Sequence, residues 1–232
     1  MKRFFGKRIN NIISFEEGEA QHIRQVLRLK EGDKVIGMLN DDNDYYCTIT
    51  EISKQKVVAE IDEIKPNIAN PYKDITLFQA MPKREYFENI VTKTIELGVS
   101  KIVPFISKWT VNHDYKKERL NTIVATACKQ CERSLLPEVC EVVNFNNMLN
   151  KLTDYELVLF ANEKETEPFN LSTLKNYNKI AVVVGCEGGF AEDEIEQIKQ
   201  VGAKSISLGK RILRCDTATI AMMSIVNILS GN

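Results

Sequence analysis

The 232-residue sequence predicts an α/β protein: a small β-rich unit at the N-terminus, then a larger domain built on a parallel sheet. Three observations predict it. Up to about residue 64 the apolar residues fall in short strand-like runs separated by turn residues. After residue 73, continuous apolar or β-branched runs alternate with segments of helical periodicity. Between them lies KPNIANPY, residues 65–72, with two prolines and two asparagines, which reads as a linker. The expected domains are therefore 1–70 and 73–232.

In the first unit, RFF (3–5) is a strand candidate. Ser14 and Glu17 fit a capping box, so EAQHIRQVLRL (19–29) can follow as a short helix. DKVIGML, YYCTITEIS and KVVAEIDEI read as strands, with turns at 41–44 and near Lys54 and Gln55. In the second unit, DITLFQAM is a strand and 83–98 a helix, with Phe87, Ile90, Val91 and Thr94 on one face and Gly98 as its stop. KIVPFI is a strand. Residues 116–133 form a helix with Leu120, Ile123, Val124, Ala127 and Cys131 at helical spacing. ELVLFA, KIAVVVG and SISLG suit parallel strands covered on both faces, and AEDEIEQIKQVG is a polar helix between the last two. The last helix, about 216–230, is apolar almost all round, from Ile220 to Leu229. Such a helix is buried on more than one side, and a dimer interface is the simplest second partner.

The formal net charge is −1, so the molecule as a whole does not attract polyanions. Its charge is nonetheless uneven. Residues 1–30 carry seven Lys or Arg against three Glu, and residues 31–63 carry three against nine acidic groups. A local basic face can still bind RNA. The N-terminal ten residues lack the apolar core of a secretory signal, and no run is long enough to span a bilayer. The six cysteines are therefore expected to be reduced thiols in a cytoplasmic protein. Cys128 and Cys131 form a CxxC with only Cys140 near, and His22 and His113 are far apart, so no metal is expected.

Two segments carry the chemistry. GCEGGF (185–190) follows a strand and precedes a helix, and its three glycines permit close approach of a ligand to the backbone. It lacks both the dinucleotide fingerprint and a Walker lysine, which argues against a nucleotide-dependent oxidoreductase. LGKRILRCDTA (208–218) holds the same place after the next strand. In parallel sheets ligands bind beyond the carboxyl ends of the strands, so the two loops should face one cleft. Asp216 and Thr217 suit the start of a helix. Arg211 and Arg214 do not, because the macrodipole disfavours cations there, so at least one is expected to meet a ligand.

These two segments resemble the paired signatures of the ribosomal RNA small subunit methyltransferase E family, of the SPOUT class. RFF, HIRQVLRLKEGDKV, QAMPK, IELGVSKIVPF and KQCER before LLPEV also resemble it, in the family's order over nearly the whole chain. The resemblance implies a PUA-like RNA-binding β-barrel, then a SPOUT-type domain with a C-terminal trefoil knot. It implies a homodimer that uses S-adenosyl-L-methionine to methylate N3 of a specific uridine in 16S rRNA or the small ribosomal subunit. Gly185, Glu187, Gly188, Gly189, Leu208, Gly209, Ile212, Leu213, Thr217 and Ala218 would then hold the cofactor. Arg214, Asp216, Arg211 and Glu187 become the catalytic candidates. Arg3, Arg8, Arg24, Arg28, Lys83 and Arg84 are the expected RNA contacts. The chain departs from the pattern at Cys186, where proline is common, at Asp216, usually glutamate, and at Lys108 and Trp109, in place of a Ser-Glu-Arg stretch. Those departures motivate an alternative reading, a catalytically silent RNA-binding or ribosome-assembly module.

Overall fold

The computed structural model describes residues 1–111, 114–165 and 170–232, with every side chain there except that of Glu17. His113 thus lies outside the described residues. The chain divides into two units, Met1–Asn70 with Ala125–Leu136, and Pro71–Val124 with Pro137–Asn232.

In the first unit, β1 (Lys2–Phe5), β2 (Lys7–Ile9), β3 (Ile12–Glu16), β4 (Lys34–Met38), β5 (Asn43–Ile52) and β6 (Lys56–Pro66) form one sheet. Its order is β1-β4-β5-β6-β3-β2. Only the β1–β4 pair is parallel; the others are antiparallel. The alternating inward residues Phe4, Ile13, Phe15, Val35, Cys47, Ile49, Val57 and Ala59 form its core with Ile23. The helix between β3 and β4 is broken: α1 (Glu17–Gln21) runs into a π-turn over His22–Val26. The expected capping box is not made. Ser14 is inside β3 opposite Val58, and the helix N-cap is Glu16, with no side-chain cap. Ser14 is claimed by the ladder because its neighbours Ile13 and Phe15 are core residues.

The 65–72 stretch is not a free linker. Asn67 donates from Nδ2 to Asp44, to the Glu132 carbonyl and to Ser134 Oγ at 2.8, 2.8 and 3.0 Å. Buried Asn70 accepts from the N–H groups of Ser134 and Leu135 at 3.0 Å each. Asn67 also makes a turn, accepting from the Ala69 N–H at 2.9 Å. The two asparagines tie 132–136 to the first unit across more than sixty positions of sequence.

The second unit holds β7 (Asp74–Ala80), α2 (Arg84–Glu96), β8 (Lys101–Ile106), α3 (Lys117–Cys131, shared with the first unit), β9 (Glu138–Val139), β10 (Val143–Asn144), α4 (Phe145–Leu152), β11 (Leu157–Ala161), β12 (Lys179–Val184), α5 (Glu192–Gln200), β13 (Lys204–Ile206) and α6 (Cys215–Ser230). Every strand pairing in this sheet is parallel. Its order is β10-β8-β7-β12-β11-β13, with β9 also on β8. The central strands β7 and β12 are buried along almost their whole length, as a sheet covered on both faces requires. Gly98, at φ +81°, ends α2 as expected. The strand read as SISLG is shorter, ending at Ile206, so Leu208 and Gly209 are loop. On α6, Met222, Met223 and Val226 are buried, whereas Ile228 is 72% and Leu229 41% exposed in the single chain. Among the described residues no helix is long and apolar enough to cross a membrane.

Candidate functional site

The order of strands reverses where β12 sits between β7 and β11, and the loops leaving the carboxyl ends there enclose a cleft of about 280 Å³. Three loops line it: 162–164 after β11, 185–190 after β12 and 208–213 after β13. Gly185, Glu187, Gly188, Gly189, Leu208, Gly209, Arg211, Ile212, Leu213 and Ala218 all lie on its wall. The backbone N–H groups of Arg211, Ile212 and Leu213 bond to no other described residue. They are left to water or to a ligand in the adjoining cleft. Two of these glycines show why the type is needed. A Cβ on Gly185 would stand 3.0 Å from the Gly189 backbone, and Gly209 has φ +103°.

The sheet fastens these loops from below. Gln79, fully buried at the end of β7, donates from Nε2 to the carbonyls of Ala80 and Gly185, both at 3.0 Å. Its Oε1 accepts from Thr219 Oγ1 of α6 at 2.6 Å. One amide thus joins β7, the glycine loop and α6. Glu187 likewise fastens its loop, since its Oε1 accepts from the Lys83 N–H at the N-cap of α2, at 2.9 Å. Buried Glu194 accepts from the N–H groups of Ala191 (2.9 Å) and Lys108 (2.8 Å), clamping the 107–110 loop to the start of α5. Phe190 stacks on Phe105 with centroids 6.4 Å apart, which packs the loop's end into the core. Gln79, Thr219 and Glu194 escape a reading of the sequence for reactive motifs. The first two signal only by polarity in apolar company, a glutamine near the end of a strand of core residues and a threonine inside an apolar helix; Glu194, one carboxylate among several in a polar helix, gives no signal.

Arg214, Asp216 and Thr217 do not line the cleft. The N-cap of α6 is Arg214, in extended conformation, and its carbonyl accepts from Ala218 N–H at 2.8 Å. Asp216, expected as a cap, instead sits in the first turn. There its Oδ1 accepts from Thr217 N–H at 2.9 Å and its Oδ2 meets Asn89 Nδ2 of α2 at 3.5 Å. A carboxylate in that turn is favoured by the helix dipole. The Cys215 thiol is pushed up to about 12 by burial and by the charges of Glu187 and Asp216, so it is a neutral packing group.

The basic residues fare unevenly. Arg3 is corrected as an RNA contact: its side chain is 9% exposed and pairs with Asp44 at 2.6 Å. It is spent on a buried ion pair that also takes Ser134 Oγ at 2.6 Å. Arg24 is half-buried, reaching the Ser53 carbonyl at 3.4 Å, while Arg8 and Arg28 are exposed. Lys83 and Arg84 are exposed beside Arg119, and Glu88 pairs with Arg84 at 3.2 Å and with Arg119 at 3.0 Å. Among the described residues no group of His, Cys, Asp and Glu could hold a metal, and all six cysteines are free.

Known proteins share this architecture. A family model described as an RNA methyltransferase domain matches residues 69–227, and one for an RNA methyltransferase PUA domain matches residues 15–62. Proteins named ribosomal RNA small subunit methyltransferase E are 32% identical in Rickettsia conorii (91% of this chain, 87% of the relative) and 30% identical in Bacillus subtilis (90% and 87%). A crystal structure of the Neisseria gonorrhoeae protein of that name, bound to S-adenosyl methionine, superposes with a TM-score of 0.87 at 25% identity. It covers 97% of this chain and 95% of that one. An α/β chain with a PUA-like first unit, a parallel second sheet and a glycine-walled cleft at its strand ends therefore belongs to the RNA methyltransferase family, in the group named ribosomal RNA small subunit methyltransferase E.

Proposed function

We propose that the chain is an S-adenosyl-L-methionine-dependent methyltransferase acting on N3 of one uridine in 16S rRNA of the small ribosomal subunit. The cleft carries the reading. Its volume is close to the roughly 300 Å³ at which small-molecule sites begin. Its wall combines apolar Leu208, Ile212 and Leu213 with the unpaired N–H groups of 211–213, which suits a nucleoside. The carboxylates of Glu163 and Glu187 on the same wall suit a cation such as a sulfonium. Gly185, Gly188, Gly189, Gly209 and Ala218 would let the ligand approach the backbone closely. Thr217, off the wall, is left with helix α6.

When bound, S-adenosylmethionine supplies an electrophilic methyl group on its sulfonium. The chain's work is then alignment, since in-line displacement depends on positioning. The uracil N3 proton must leave as the new bond forms. Arg214 is assigned to the uracil oxygen on which negative charge develops, with Arg211 as the second candidate. Glu187 is committed to the Lys83 N–H, so it positions that loop. Asp216 keeps Oδ2 with only a long contact to Asn89, which makes it the freer carboxylate to accept the N3 proton. Arg8, Arg24, Arg28, Lys83 and Arg84 are assigned to phosphates, so binding should weaken steeply with salt.

The same reading includes a trefoil knot in the C-terminal chain, domains at 1–70 and 73–232, and a homodimer made through the second domain. What supports the knot is β12 inserted between β7 and β11, with the loops after β12 and β13 meeting in one cleft. What supports the dimer is the exposed apolar end of α6, Ile228 and Leu229. The same reading places the work in the cytoplasm, with no membrane and no metal. The test is transfer of labelled methyl from S-adenosylmethionine to unmethylated small-subunit RNA. Activity is expected, with Arg214→Ala abolishing transfer while cofactor binding persists; normal transfer by Arg214→Ala would refute the assignment. The departures at Cys186, Lys108, Trp109 and Asp216 motivate the second reading, a catalytically silent assembly module, and a chain that binds RNA but no cofactor would establish it.

A further inference from the structure

We propose that Trp109 is a stacking platform for a nucleobase of the RNA substrate, held at the rim of the cleft. This rests on the methyltransferase reading and extends it to how the RNA is gripped. Trp109 is the only tryptophan in the chain and is 52% exposed. An indole offers a broad apolar face that can stack and an N–H that stays wet.

Its exposure does not come from a loose loop. The Ser107 N–H donates to Thr110 Oγ1 at 3.0 Å, and the Thr110 N–H returns to the Ser107 carbonyl at 3.1 Å. The Lys108 N–H is held by buried Glu194, and Ser107 Oγ lies 3.8 Å from Cys186 Sγ. The ring is therefore presented from both sides of its backbone by fixed partners. It packs on a residue of the cleft wall, since a Cβ placed on Gly188 would stand 2.7 Å from Trp109 Cβ and 3.1 Å from Cγ. Gly188 lines the cleft and Trp109 does not, so the indole stands at the cleft's edge, beside the space a target base must enter.

The surroundings fit a nucleotide. Lys108 Nζ stands 5.8 Å from the ring centroid, within cation–π reach, and its partner Asp193 is exposed at 3.3 Å. An ammonium beside an aromatic face is the pairing that holds a phosphate next to a stacked base. Exposed Lys83 enters the same neighbourhood through its N–H bond to Glu187 of the glycine loop. The occupant is thus an unpaired nucleobase whose backbone runs past Lys108.

The unique tryptophan makes its own reporter. The full chain, saturated with S-adenosylmethionine, is titrated with a single-stranded oligouridylate and with inorganic polyphosphate of equal charge, following indole fluorescence. Quenching is expected with the oligouridylate and not with polyphosphate. Calorimetry compares the parent with the variants, which keep no indole, and Trp109→Ala should weaken oligouridylate binding by about 5- to 150-fold. Trp109→Phe should restore most of it, and both variants should bind S-adenosylmethionine as the parent does. Three results would each overturn the proposal: no quenching by the oligouridylate, equal affinity of the parent and Trp109→Ala, or a fluorescence shift that follows protein concentration without RNA. The last would mean that a second copy covers the ring. Failure of the parent chain to bind S-adenosylmethionine would count against the methyltransferase reading instead.

Discussion

At Gln79 one side chain decides whether three elements meet. Its amide is buried and fully used, with donors on Ala80 and Gly185 and its acceptor on Thr219. Leucine has the volume but none of the polarity, so Gln79→Leu strands the Gly185 carbonyl without its side-chain donor. Losing a buried partner costs about 1–3 kcal/mol. Expected outcomes are a lower urea midpoint and weaker cofactor binding in calorimetry; unchanged values for both would show the clamp to be idle. Little of this was legible in the sequence. The polar residues at 79 and 219 are 140 positions apart, and only the parallel register of β7 with β12 brings Gly185 above them. The arginines of 208–218 were legible as anomalies of charge at a helix start. Their separation was not: Arg211, in the loop, is on the wall of the cleft, and Arg214, the N-cap of α6, is outside it. Arg3 looked like any N-terminal arginine, since nothing local announces its partner Asp44.

Helices and strands were mostly readable, because burial on two faces leaves unbroken apolar runs and burial on one leaves a period. The α2 face of Phe87, Ile90, Val91 and Thr94 is buried as its spacing demands, and both glycine-bearing loops do line one cleft. Element ends were less readable. The strand at 204–206 stops before Leu208 because its partner strand β11 ends at Ala161, beyond which there is no ladder to join. The break after Gln21 could not be seen in a helical pattern that stays amphipathic through Leu27. At this scale the glycine loop makes the sharpest prediction. Gly185→Ala puts a methyl 3.0 Å from the Gly189 backbone, which must move. Such overpacking costs about 1–3 kcal/mol. Cofactor affinity should fall about tenfold or more while far-ultraviolet circular dichroism stays native; unaltered affinity would mean that the loop does not shape the site.

For the whole chain, the decisive long-range feature is the polar knot of Arg3, Asp44, Asn67, Asn70 and Ser134 in the first unit. Prolines and asparagines at 65–72 read as a linker, yet both asparagines are structural. Burial pushes the Asp44 carboxyl up, but hydrogen bonds from Arg3, Ser134 and Asn67 and the Arg3 charge outweigh it and hold it below the ordinary carboxylate range. A carboxyl lowered in the folded state stabilises above its unfolded value, and that stability is lost as pH falls through the folded one. Denaturation should therefore show an acid loss of stability below about pH 4. In Asp44→Asn that step should be smaller, on a stability already reduced by about 3 kcal/mol at pH 7. At the other end, burial pushes the thiols of Cys47 to about 11 and Cys128 to about 12. Raised groups stabilise below the unfolded thiol value and lose that contribution as pH rises, so stability should also decline above about pH 9.

All of these scales serve one chemical claim, that the cleft at the ends of β11, β12 and β13 presents a methyl donor to one uridine. Mass spectrometry of small-subunit rRNA from cells with and without the gene tests it most directly. The account predicts that N3-methyluridine disappears from a single position and returns with the intact gene but not with Arg214→Ala. An unchanged modification profile in the cells lacking the gene would contradict it.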